Sequence, residues 1–321
     1  MPNVLWLNGQ SCGGDNVSLL NADQPDVISL LKHFDVNFLW HPNLSPEMDK
    51  EAIAILDDVL YERTPMDILI ISGAVPLGPE NTGGYFRFQG KPFKDWVKKL
   101  SKLSQYTLAV GTCASFGGIP STTNNPTDAV GMQFLHSEKG GLLGSDYLSK
   151  KGMPVINMPG CPPHPDWMVE TIMLIISQKI SIDLLDAYNR PTVFYSTLAH
   201  HGCPRNEFYE FKSSALEYGQ CGCLFENLGC KGTRCESDCN IRLWLGRTGS
   251  CTRGGFPCIA CTSPKFPDEF LPYFQTPKLG EIPVTLPLGV PKAWYLAISS
   301  MGKAAVPERL KKKATSFIRG E

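Results

Sequence analysis

Apolar residues arrive along the first 190 positions in two alternating rhythms. Short β-rich runs at 4–7, 36–40, 68–71, 107–110 and 155–157 read as strands. Between them, apolar positions recur at helical spacing. Met48, Ala52, Ile55, Leu56, Val59 and Leu60 follow Ser45-Pro46, where the serine predicts an N-cap and the proline a first helical turn. Phe93, Trp96, Val97, Leu100 and Leu103 predict a second helix, and Met168, Ile172, Ile175 and Ile176 a third, with Asp166 as its expected cap. Strand, helix, strand in sequence predicts an α/β domain: a doubly wound parallel sheet covered on both faces.

After Pro191 the rhythm fails. Residues 193–195 predict one more strand and 207–217 a helix, but 219–261 holds no sustained period, only glycine and cysteine. A segment of that length without a core must be held by something other than side-chain packing. Beyond Cys261 the chain is rich in proline, from Pro264 to Pro291, which reads as an extended wrap ending in a short basic helix at 308–313. Two domains are expected, 1–190 and a small, irregular cysteine-rich one at 191–321.

Composition narrows the function. With 321 residues, 42% of them apolar and 19% charged, the chain can bury a core and is not expected to be disordered. Thirty Lys and Arg against 31 Asp and Glu give a formal charge of −1, which removes nucleic acid and anionic membranes as default partners. No apolar run approaches the roughly 18–20 residues of a spanning helix. The first basic residue is Lys32, so the start lacks the pattern of a secretory signal, and a cytoplasmic chain is expected.

Cysteine changes the picture. Of twelve, Cys12, Cys113 and Cys161 are scattered, whereas the others crowd between Cys203 and Cys261. In a reducing compartment a disulfide framework is not expected, so metal leads. Each scattered cysteine sits just past a predicted strand, and parallel strands end at one edge, where ligand sites of open α/β sheets form. Three thiolates converging there point to iron–sulfur ligation. Three residues after Cys12 stands Asp15, a harder donor, so the expected cluster is 4Fe-4S with an Asp ligand or 3Fe-4S without one. In the crowded segment His200-x-x-Cys203, Cys223, Cys230, Cys239 and Cys258-x-x-Cys261 supply enough ligands for two further sites. His200 is preferred over its neighbour His201, and Cys221, Cys235 and Cys251 are surplus.

These motifs resemble the small, electron-transferring subunit of nickel–iron hydrogenases. Cys12, the Gly-Thr-Cys-Ala stretch at Cys113 and Pro-Gly-Cys-Pro-Pro at Cys161 look like the family's proximal-cluster ligands. His200-x-x-Cys203-x-Arg205, Cys223 and Gly-Cys-Lys-Gly at Cys230 look like those of the distal cluster, and Cys239, Cys258 and Cys261 like those of the medial one. The resemblance implies a flavodoxin-like first domain and three iron–sulfur clusters. It also implies a large-subunit partner with a nickel–iron centre, an oligomer of heterodimers, and a quinone or redox protein as electron acceptor.

Three departures stand out. Asp15 replaces a second proximal cysteine. Cys251 stands where many members have proline, and would complete a 4Fe-4S medial cluster. The Cys223 to Cys230 spacing is one residue longer than the family leads one to expect, making Cys221 a rival. A chain without a leader and a terminal membrane helix is expected, which would be similar to the cytoplasmic uptake, high-affinity group. Two other readings are a zinc-stapled interaction module and an iron–sulfur subunit of another dehydrogenase complex. The loop at 73–90, with Tyr85, Phe86 and Phe88, is expected to touch the large subunit.

Overall fold

The computed structural model describes residues 1–280 and 282–315. Five parallel strands, β1 (Asn3–Asn8), β2 (Asn37–Trp40), β3 (Ile68–Ser72), β4 (Tyr106–Val110) and β5 (Ile156–Met158), form one sheet in the order β2-β1-β3-β4-β5. That is the flavodoxin-like winding, which reverses direction between β1 and β3. The strands read as unbroken apolar runs because both faces are buried. On one face Val4, Trp6, Ile68, Ile70 and Leu108 pack against α1 (Gly14–Leu19), α2 (Val27–Lys32) and α6 (Pro165–Ile176). On the other, Leu5, Leu7, Leu69, Ile71 and Ala109 meet α3 (Lys50–Leu60) and α4 (Phe93–Leu103). Each such side chain contributes about 1.5–3 kcal/mol by leaving water.

Several local expectations are corrected. The helix expected from Ser45-Pro46 begins only at Lys50, behind Asp49 at φ 47°, so Met48 lies outside it and is exposed. Its serine instead accepts the backbone N–H of His41. The cap of α6 is His164, whose Nδ1 accepts the Asp166 N–H at 3.2 Å, with Pro165 in the first turn. Asp166 itself accepts the N–H of Asp23. Residues 193–195 lie in a single helical turn, α7 (Thr192–Tyr195), and the helix expected over 207–217 is only α8 (Asn206–Glu210). In the loop at 73–90, Tyr85 is exposed, whereas Phe86 and Phe88 turn inward against Phe93 and Trp96.

The chain divides into two compact units. The first is Met1–Phe194 with Cys261–Asp268, and the second is Tyr195–Ala260 with the chain from Glu269 onward. The strip Cys261–Asp268 is bound into the first unit: Thr112 Oγ1 donates to the Cys261 carbonyl, Arg190 donates to that of Thr262, and Asp268 accepts the Thr123 N–H.

In the second unit the apolar clusters are small, Ala215, Leu224 and Leu228 in one and Cys223, Phe225 and Tyr295 in another. Polar side chains such as Glu226, Lys231, Ser237 and Asn240 are buried beside them. After α9 (Trp244–Arg247), whose Leu245 and Gly246 depart from helical geometry, the proline-rich stretch leads to α10 (Lys292–Ala304) and α11 (Glu308–Thr315). The first of these last two was hidden from periodicity, since Trp294, Ile298 and Met301 are exposed while Tyr295 and Ser299 are buried.

Candidate metal centres

At the carboxyl edge of the sheet the first unit gathers three thiols and a carboxyl. Cys12 follows β1, and Asp15 lies in the first turn of α1, behind a glycine N-cap. Cys113 rides on α5 (Gly111–Phe116), which starts directly from β4. Cys161 lies between Gly160 and Pro162 after β5, and the Gly160 N–H donates to Thr112 Oγ1 at 2.9 Å.

Two glycines make the approach possible. Gly111 has φ 84°, and a Cβ there would strike the Asp15 carboxyl. At Gly118, φ 52°, a Cβ would come within 3.0 Å of the Cys113 sulfur. Burial raises the Asp15 carboxyl to about 7. Burial, then the charges of Asp15, Cys161 and Cys12, push the Cys113 thiol up to about 12, and burial with Asp15 and Cys12 takes Cys161 to about 11. Asp15, Cys113 and Cys161 therefore resist joint ionisation unless a cation neutralises them, and metal binding would displace their protons.

In the second unit, His200, Cys203, Cys223 and Cys230 all line one cavity. Cys223 faces it, while Cys221 is exposed and is not among its walls. Backbone N–H groups are aimed at the sulfurs. That of Arg205 donates to Cys203 Sγ, that of Phe225 to Cys223 Sγ and that of Cys258 to Cys230 Sγ, each at 3.4 Å.

Arg205 fixes the surrounding loops, donating to the carbonyls of Gln220 (3.1 Å), Gly222 (2.7 Å) and Thr252 (3.1 Å). Burial, helped by His201 and Lys212, pushes His200 down to about 4, leaving the neutral imidazole that can ligate. Burial raises Cys223, and holds Cys230 at about 11.

A third thiol group in the second unit includes a residue that sequence reasoning passed over. Cys235, fully buried, hydrogen-bonds Cys258, whose thiol it holds well above its ordinary range. Two residues on, Ser237 Oγ donates to Cys239 Sγ at 3.2 Å. Burial and Cys235 push Cys239 up to about 12, against the Ser237 hydrogen bond, with Cys251 and Asp238 adding to the rise. Cys251 is exposed. Cys261, the last predicted ligand, belongs to the first unit. The one sequence signal for Cys235 was its C-x-x-x-C spacing to Cys239. Among the described residues no three His, Cys, Asp or Glu side chains close on a point as a single metal ion requires.

Residues 12–175 match the family model of the NADH ubiquinone oxidoreductase 20 Kd subunit, and residues 195–274 that of the C-terminal region of the NiFe/NiFeSe hydrogenase small subunit. The F420 non-reducing hydrogenase I small subunit of Methanosarcina mazei is 36% identical over 293 residues, covering 84% of this chain and 75% of that one. The periplasmic [NiFeSe] hydrogenase small subunit of Desulfomicrobium baculatum is 31% identical over 285 residues, covering 84% and 86%. Among solved structures, the actinobacterial-type NiFe-hydrogenase from Ralstonia eutropha superposes with a TM-score of 0.78 at 29% identity, covering 94% of this chain and 89% of that one.

Proposed function

We propose, for a chain that belongs to the nickel–iron hydrogenase small-subunit family, that it relays electrons from hydrogen oxidation through three iron–sulfur sites of its own. The protein is part of a hydrogen:acceptor oxidoreductase, and the nickel–iron centre lies in the large subunit with which it pairs. Iron–sulfur clusters, when bound, supply one-electron chemistry.

The chain's own residues would hold them as follows. Cys12, Asp15, Cys113 and Cys161 take the proximal site, His200, Cys203, Cys223 and Cys230 the distal, and Cys239, Cys258 and Cys261, with Cys251, the medial. The donor chemistry fits. Soft sulfur dominates, the imidazole is neutral, and backbone N–H groups reach sulfur at Cys203, Cys223 and Cys230. Arg205 keeps the Cys223 loop in place through three carbonyls. Burial keeps water from the Cys223 and Cys230 thiols and keeps them protonated until metal arrives. As the finer reading, the enzyme is an uptake hydrogenase of the cytoplasmic, high-affinity group, assembled as an oligomer of heterodimers and passing electrons to quinone.

The observation that carries this reading is the single cavity walled by all four distal residues, drawn from positions 200 to 230. Anaerobic purification with the large subunit tests it. A brown protein with bound sulfide is expected, and Cys223→Ser should cost iron while Cys221→Ser should not. A colourless preparation with stoichiometric zinc would reject it.

A further inference from the structure

Helix α8 ends in a Schellman motif. The Ser213 N–H donates to the Phe208 carbonyl at 2.8 Å and the Lys212 N–H to that of Tyr209 at 3.1 Å. The residue at the left-handed position of such a motif is ordinarily glycine or asparagine, yet here Lys212 occupies it at φ 53°. A lysine held in that strained conformation needs a reason in its side chain.

That side chain is buried, 7% exposed. Its ammonium sits 3.7 Å from the centre of the Tyr209 ring and 4.9 Å from that of Tyr295. Among the described residues it makes no ion pair. The carboxylate whose charge reaches it, Glu226, already accepts from Ser214 (2.9 Å) and Tyr295 (3.3 Å) and pairs with Lys303 at 3.7 Å. A buried cation without a matched anion is costly. Tyr209, on whose ring it rests, packs edge-on against the His200 ring at 4.3 Å, and Cys223 is close enough for their charges to interact. Besides Glu226, which already pairs with Lys303, the negative charge that reaches Lys212 is that of Cys223, in the wall of the distal cavity.

We propose that Lys212 is the counter-charge of the distal iron–sulfur site, a positioning residue that raises its reduction potential by stabilising the added electron. The proposal rests on the distal assignment above. Reduction adds one negative charge to a site already rich in thiolate, and a fixed cation in a low-dielectric surround offsets it more strongly than water-screened charges could. Tyr209 and Tyr295 hold the ammonium by their ring faces, and Glu226, shared with Lys303, offsets its charge only in part.

The test is a redox titration of the complete hydrogenase, following the distal cluster's paramagnetic signal together with iron content. Lys212→Met should lower the midpoint so that the reduced-to-oxidised ratio at fixed potential falls at least tenfold, about 59 mV for one electron. Lys212→Arg, which keeps the charge, should restore most of it. Lys212→Gly provides a second variant that relieves the left-handed backbone, and it should show the same downward shift with undiminished thermal stability. An unmoved midpoint in the Met and Gly variants at full iron content overturns the proposal, as does an equal shift in Met and Arg. Cys223→Ser should abolish the titrated signal. If the signal survives that change, the ligand assignment fails and the Lys212 proposal falls with it, whereas loss of the signal beside an unmoved Lys212→Met midpoint overturns Lys212 alone.

Discussion

The two units solve the problem of holding soft donors in opposite ways. In the first, a five-stranded sheet with fully buried Trp6, Leu69 and Ile70 has an apolar core of its own, and Cys12, Cys113 and Cys161 hang from its carboxyl edge. In the second, the apolar clusters are small, polar side chains are buried, and the thiols themselves occupy the middle, with Cys223, Cys235 and Cys258 all buried. The scaffold places the cysteines in one unit; in the other the cysteines occupy much of the scaffold.

The sharpest way to break that contrast is to remove iron. Anaerobic chelation should open 195–260 to protease while β1, β3 and β4 remain protected, as read by mass mapping of the fragments. Equal digestion of both units would show that the second has a core of its own. Conversely, Ile70→Ala should destabilise the first unit by about 2–5 kcal/mol through the cavity it leaves, measured by denaturant unfolding, with the visible absorption of the second unit's sites retained.

Acid should act on the first unit by a similar route. His41 is buried, accepts the Asn43 N–H at Nδ1, and meets the Trp6 and Phe38 rings at 4.9 and 5.2 Å. Burial lowers it from 6.5 to about 4. The unfolded chain therefore binds this proton more readily, so the stability His41 contributes is complete above pH ~6.5 and is lost as pH falls toward 4, on the order of 3 kcal/mol. His41→Leu should flatten that slope in pH-dependent unfolding. Asp15, raised to about 7, has the reverse sign in metal-free protein, costing stability as pH rises from about 4 to 7.

The smallest effect belongs to the second unit. Ser237→Ala removes a donor to Cys239 worth about 1 kcal/mol, and should lower the medial potential slightly at unchanged iron content. Loss of iron would instead make Ser237 part of the structural frame.

Much of this was readable in the chain. Buried parallel strands spell themselves as apolar runs, so the sheet and the strand-end positions of Cys12, Cys113 and Cys161 followed from pattern. The second unit has no such grammar. Its folding rests on contacts such as Arg205 to the Gln220 and Gly222 carbonyls and Cys235 to Cys258, which leave no period in the sequence. The early end of α8 was equally hidden, because a lysine occupies the place where a glycine would have announced the stop. Likewise nothing local tells that Cys261–Asp268 returns to the first unit.

That return imposes an order on synthesis. A ribosome delivers β1 to β5 early, yet Thr112, the residue before Cys113, holds the carbonyl of Cys261, and Arg190 that of Thr262. The nascent flavodoxin-like body therefore waits for some seventy further residues of translation before its last strip can dock.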